Sequence, residues 1–287
     1  MKIRALFFSF FIVWMVVDAT AQLSAGVSKK VITPELPFLL TGYASRTTPA
    51  TGKIHDLWAK ALLIEYSATS KTVIVTTDVL GLTPEIHDEV VSELSRRFGF
   101  QKSQVILNSS HTHSGPMIWP SLEMIGDYDS TAVKSFVNYN NFLVQSIIEI
   151  VGDAIKNKFP AKLSTGHGEA DFAMNRRQPV NGKIINGKNP DGHSDHDVPV
   201  LNVEDAKGNT KAVLFGYACH NTTLGGNNYL INGDYAGFAQ IEIEKAYPGA
   251  TALFFTGCAG DQNPQPRGTI ELAEKHGNSL ATAVKKV

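Results

Sequence analysis

Apolar and polar positions follow two periods along the chain. Residues 58–66 and 72–78 are rich in aliphatic and β-branched side chains and are separated by Ser-Ala-Thr-Ser-Lys, so they read as the two strands of a hairpin. Ile86, Val90, Val91, Leu94 and Phe98 then repeat at helical spacing. Thr83 stands at the N-cap, Pro84 at the first helical position, and Arg96, Arg97 and Gly99 mark the end. Residues 105–107 form a short buried strand, 132–156 a long helix and 161–174 an alternating strand. The stretch 178–197 reads as a loop rich in Gly, Asn, Pro and Asp, long enough for a binding or lid role. A strand at 211–219, a helix at 235–247, a strand at 251–256 and a last helix from about Gly268 complete the pattern. This alternation predicts an α/β domain over residues 22–287, with a mixed, mostly parallel sheet and helices on both faces.

The chain opens differently. Met1-Lys2-Ile3-Arg4 is a short cationic start, an apolar run follows to Val17, and Asp18-Ala19-Thr20-Ala21 supplies a small-x-small cleavage site. The run falls short of the about 20 residues that a membrane-spanning helix needs. Residues 1–21 therefore read as a signal peptide, and the protein as exported, periplasmic or secreted. Charge is balanced, with 26 basic against 27 acidic residues, and no cationic face is available to neutralise a phosphate backbone. Nucleic acid is not an expected partner, and nothing points to a protein partner. Cys219 and Cys258 both end apolar runs, where a free cysteine serves as a small buried hydrophobe in preference to a disulfide.

Three polar clusters lie at strand exits, where α/β sheets gather their chemistry: His111/His113, His220 and Asp261/Asn263. In extended backbone two residues at i and i+2 face the same side, so both imidazoles of His111-Thr112-His113 can line one cleft. Paired imidazoles suit zinc. His220 follows the apolar strand AVLFGYAC and enters the turn-rich Asn221-Thr222-Thr223-Leu224-Gly225-Gly226, as expected when ligands come from different strands of one sheet. His193 and His196, in the long loop, are a second candidate pair. The glycine-rich turn after Phe254-Phe255 can present N–H groups to an anion or oxyanion. Arg176 offers guanidinium donors to a carbonyl or carboxylate.

Taken together these motifs resemble the neutral, non-lysosomal ceramidases, in their catalytic N-terminal domain. The resemblance runs from about Ala25 to the end. It rests on Thr41-Gly42-Tyr43-Ala44, Val75-Thr76-Thr77-Asp78-Val79-Leu80-Gly81, Asn108-Ser109-Ser110-His111-Thr112-His113-Ser114-Gly115-Pro116, Ala173-Met174-Asn175-Arg176, Tyr217-Ala218-Cys219-His220 and Gly260-Asp261-Gln262-Asn263-Pro264. Metallo-β-lactamase-type hydrolases also use a His-x-His pair, but with an acidic residue two positions on, where this chain has Gly115.

The resemblance implies a zinc-dependent amidase that splits N-acylsphingosine by a metal-activated water, with the membrane surface reached through its lipid substrate. By motif match His111 and His220 are the zinc ligands, and His113 and Arg176 act on substrate or the reacting water. Asp261 and Asn263 contact substrate. Two departures stand out. The family's last motif carries a serine where this chain has Asn263, and an amide cannot serve as an oxygen nucleophile. The family's remaining zinc ligands, a glutamate and a tyrosine, lie beyond Val287, so the chain reads as a truncated domain not expected to be active by itself. Two alternatives follow: a relative acting on a different amide or ester, or a non-catalytic lipid-binding fragment.

Overall fold

The helix start at Thr83 is built as its residue types require. Thr83 has extended backbone and its Oγ1 accepts the Ile86 N–H, while Gly99 closes the helix in the left-handed region with its N–H on Leu94 and Ser95 carbonyls. Such a cap stabilises a helix by about 1 kcal/mol. The computed structural model describes residues 23–287, so the expected signal peptide lies outside the described residues.

In chain order the strands are β1 (Ser24–Val31), β2 (Gly52–Lys53), β3 (Trp58–Glu65), β4 (Lys71–Thr77), β5 (Val105–Ser109), β6 (Phe159–Glu169) and β7 (Ala173–Asn175). They continue with β8 (Arg177–Val180), β9 (Lys183–Asn186), β10 (Asp197–Asp205), β11 (Thr210–Tyr217), β12 (Leu230–Ile231), β13 (Thr251–Thr256) and β14 (Gln262–Pro264). The helices are α1 (Pro84–Phe98), α2 (Ser130–Lys156), α3 (Asp234–Ala246) and α4 (Ile270–Lys285). Among the described residues no helix is long and apolar enough to cross a membrane.

Eight strands form one mixed sheet in the order β13-β11-β10-β6-β1-β3-β4-β5. The expected α/β architecture holds, but parallel pairing is confined to the two ends, β13–β11 and β4–β5, and the pairs between them are antiparallel. The physical reason is the connections. The hairpin β3–β4 and the short β10–β11 turn force antiparallel neighbours, and only helical crossovers deliver parallel ones.

The sheet is joined at its centre by a single short contact, Ser24 with Pro160 and Ala25 with Phe159. Its two halves fold onto each other around this seam. Alternate residues of both halves (Ala25, Leu62, Ala212, Leu214 and Leu253) share one inner core. Residues on the opposite faces form two outer cores: Ala59, Ala61, Val73 and Val75 with α1 and α2, and Val213, Phe215 and Phe254 with α3 and α4. Helices therefore cover both outer faces of a two-layered sheet rather than the two faces of a flat one. Across the fold, Asn108 of β5 exchanges hydrogen bonds with the main chain of Thr256 of β13 at 3.2 and 2.9 Å. Buried Lys60 donates to Glu244 Oε1 at 3.0 Å and to the Ala252 carbonyl at 2.7 Å.

Several features differ from the sequence reading, among them the strand expected over 161–174, which is broken into β6 and β7 in separate sheets. β1, at the central seam, and β10, between β6 and β11, carry too many lysines and acids to register as strands, and their pairing comes from the neighbours on each side. The long loop contains the exposed hairpin β8–β9. Both cysteines are free, Cys219 buried as expected but Cys258 exposed, because the turn after β13 carries it to the surface.

Candidate metal centre

The C-terminal ends of β5, β11 and β13 meet at one place, where Asn108 and Ser110 bond Thr256 and the loop after β5 bonds Asn221. His111 leaves β5 with a positive φ of 61°, a conformation costly for a residue with a Cβ and found where surrounding structure enforces it. Its N–H donates to the Val79 carbonyl at 3.1 Å. His113 follows on the same loop, and its N–H donates to the Asn221 carbonyl at 3.3 Å. His220 leaves β11 and donates its N–H to Gln262 at 3.0 Å, so the 259–263 turn braces it.

The three imidazoles converge. Ring centroids are 4.7 Å apart for His111 and His220, 4.9 Å for His111 and His113, and 5.6 Å for His113 and His220. One ligand atom from each lies within 4.8 Å of the others. Each ring is held from behind by a main-chain carbonyl at Nδ1: His111 by Leu80 at 2.7 Å, His113 by Gly42 at 3.0 Å and His220 by Ala259 at 2.6 Å. A carbonyl oxygen only accepts, so each Nδ1 carries the proton and each Nε2 is left as a lone pair. This second layer of hydrogen bonds is the one that fixes metal-binding histidines in proteins.

Burial keeps the rings neutral. It pushes His113 down to about 3, with the two neighbouring imidazoles adding to the effect, and His220 down to about 4, helped by the Arg176 charge. His111 is lowered for the same first reason. The Nε2 atoms of His111 and His113 then face each other at 3.2 Å with no proton between them. Two lone pairs at that distance repel unless a cation draws them together. Tetrahedral zinc, with Zn–N bonds of about 2.0–2.1 Å, would set its nitrogen donors about 3.3 Å apart, so the residues present fit such an ion.

The remaining candidates lie beside this centre. β14 pairs with β7, setting Asn263 opposite Met174 and bringing Arg176 alongside. Half-buried Arg176 donates from Nε to the Gly260 carbonyl at 3.1 Å and from Nη1 to Asn263 Oδ1 at 3.5 Å. Its own N–H donates to the Asp261 carbonyl at 2.7 Å. Asn263 is buried and fully engaged: Oδ1 also accepts from Thr222 Oγ1 at 3.3 Å, and Nδ2 donates to Asn186 Oδ1 of β9 at 3.3 Å. A groove of about 500 Å³, with Leu80, Leu82, Pro84, Pro120 and Leu122 in its walls, opens onto His111.

The second pair, His193 and His196, is not part of the cluster. His193 offers its carbonyl to Asn175, and His196 Nε2 bonds the Ala173 carbonyl at 3.0 Å, so both brace β7. Among the described residues the one group of three or more potential ligands is His111, His113 and His220.

These features place the chain within a known family. Residues 24–277 match the N-terminal model of the neutral/alkaline non-lysosomal ceramidases. The chain belongs to that family. Neutral ceramidase A of Dictyostelium discoideum is 27% identical over 271 residues, 88% of this chain and 37% of that protein. Neutral ceramidase of Pseudomonas aeruginosa is 28% identical over 251 residues, 83% of this chain and 36% of that protein. The crystal structure of the Pseudomonas aeruginosa neutral ceramidase matches with a TM-score of 0.77 at 25% identity, covering 93% of this chain and 45% of that one. The chain thus spans little more than a third of these relatives' length and under half of the crystallised one.

Sequence reasoning found the histidines but not what holds them. The carbonyls of Gly42, Leu80 and Ala259 have no side-chain signature. Tyr43 packs on the His113 ring at 5.0 Å between centroids and donates its hydroxyl to the Leu224 carbonyl at 2.9 Å. Arg46, buried, donates to the carbonyls of His113, Thr41 and Gly225 and is pushed down to about 10 by that burial. Tyr43 and Gly42 stand in a motif quoted above, which was the available signal; Arg46 gave none.

Proposed function

We propose that this chain is the catalytic N-terminal domain, residues 22–287, of an exported zinc-dependent amidohydrolase of sphingolipid metabolism, with residues 1–21 as its signal peptide. Its substrate is N-acylsphingosine or a related lipid amide. The observation that carries the reading is the convergence of three Nε2 lone pairs, each backed by a carbonyl on Nδ1. Family membership and the names of the relatives, neutral ceramidases, supply the reaction class. The apolar groove ending at His111 suits a lipid chain.

His111 and His220 would hold the ion. A zinc ion held by them would supply Lewis-acid chemistry, polarising the amide carbonyl and lowering the pKa of water. His113 Nε2, facing the same point, accepts a hydrogen bond from the attacking water and holds it in line. Arg176 directs its guanidinium at the substrate's polar head, steadied by Gly260 and Asn263. Asp261 offers a half-exposed carboxylate to a substrate hydroxyl. Water, not a side chain, is the nucleophile, since Asn263 has no hydroxyl to offer. The same Asn263, locked to Arg176, Thr222 and Asn186, favours a second reading in which the amide or ester cleaved differs from that of ceramide.

Metal content tests the proposal. Full-length protein that contains this chain should bind about one zinc and release fatty acid from N-acylsphingosine only without chelator. Zinc-free protein that still binds lipid would replace it with a non-catalytic binding domain.

A further inference from the structure

The loops carrying His111 and His220 leave strands in different halves of the sheet, and their relative height must be fixed by something between them. Asn221 spans the gap. It is wholly buried, and its Nδ2–H donates to the carbonyl of Ser110, the residue before His111. Its Oδ1 accepts the N–H of Ala236 in α3 at 3.1 Å, and its main-chain oxygen accepts the N–H of His113 at 3.3 Å. Thr112 and Asn221 also form an isolated parallel bridge. One residue, next in sequence to His220, is therefore tied to both sides of the His111–His113 loop and to a helix.

We propose that Asn221 is a positioning residue of the metal centre, its side-chain amide setting where the His111 and His113 rings stand relative to His220. The inference rests on the reading of these histidines as a metal site. The role needs a donor and an acceptor on one planar group of this length. Aspartate keeps the size and the acceptor toward Ala236 but turns an oxygen toward the Ser110 carbonyl, and two acceptors repel. The Ser110 carbonyl also accepts from Thr256 Oγ1 at 2.7 Å, so the lost donor is not replaced by rotating the peptide. The displacement passes to His111, whose left-handed backbone is held only by its surroundings.

The experiment compares Asn221→Asp with Tyr139→Phe, which removes a buried hydrogen bond to the Ile32 carbonyl that no residue of the histidine cluster shares. Cobalt titration followed by visible absorption, thermal melting, and ¹⁵N shifts of the imidazoles in metal-free protein are measured on both. Asn221→Asp should bind Co²⁺ at least tenfold more weakly, with an altered visible band, as expected for loss of an outer-layer partner. It should also shift the His111 and His113 imidazole signals. Tyr139→Phe should melt lower and leave Co²⁺ affinity unchanged. If Asn221→Asp does not fold, Asn221→Ser, too short to reach Ser110, carries the same test. Wild-type affinity, band and ¹⁵N shifts in the variant would overturn the proposal, as would an equal affinity loss in Tyr139→Phe. Wild-type protein that takes up no Co²⁺ would refute the metal reading instead, and the metal-free ¹⁵N shifts would still decide the role of Asn221.

Discussion

The Gly42 carbonyl accepts the Nδ1–H of His113 at 3.0 Å, and the space beside it exists only because Gly42 has no side chain. A Cβ there would lie 2.5 Å from His113 Nδ1, and the residue has φ of 96°, which L side chains rarely adopt. Gly42→Ala should cost about 1–3 kcal/mol in stability, read as a lowered melting temperature, and should disorder the His113 ring. A variant that melts and turns over like the wild type would show that the loop relaxes freely.

The three histidines should separate by role. His111→Ala and His220→Ala should each reduce zinc from about one equivalent to near none, as measured by elemental analysis of dialysed protein. His113→Ala should retain zinc but lose about 10²–10⁴ in turnover of the active enzyme, the range of a lost acid–base partner. Unchanged zinc in both His111→Ala and His220→Ala would contradict the ligand assignment.

Acid should destabilise the protein through its buried imidazoles. His55, partly buried and accepting the Gly233 N–H at 2.8 Å, is pushed down to about 4 by desolvation, like His220. The unfolded chain takes up protons at these rings near pH 6.5 while the native state refuses them until about pH 4, so stability falls as pH drops through that window. Buried Asp78 and Asp234 are pushed up and act in the opposite sense. The histidine contribution is isolated by His55→Gln. Its denaturant-derived stability should depend on pH less steeply than the wild type by one proton, about 1.4 kcal/mol per pH unit between pH 4 and 6.5.

Asn263→Ser removes the side chain that links Arg176 to Asn186 and supplies the hydroxyl that the motif resemblance leads one to expect there. Ceramide turnover should rise if that hydroxyl is what this chain lacks. No gain, with hydrolysis of another lipid amide intact, would assign Asn263 to recognition of a different substrate.

How much of this was legible in the sequence depends on the range of the interaction. Helix caps at Thr83 and Gly99, the β3–β4 hairpin and the His-x-His segment are local, and nearest-neighbour chemistry specifies them. The motif order was enough to indicate the family, since spacing and residue type survive at low identity. β1 and β10 were not visible as strands, because their lysines and acids are tolerated only once two neighbours supply the hydrogen bonds.

By itself the sequence singled out the candidate side chains: imidazoles at strand exits, a guanidinium and an amide. Tertiary structure decided how they act together. The sheet doubles back at the narrow β1–β6 seam, which brings the ends of β5, β11 and β13 to one place. Main-chain carbonyls of three remote segments then choose the tautomer of each ring, and burial keeps all three neutral. Backbone oxygens are the same in every residue, so no pattern of side chains could have announced where they would stand.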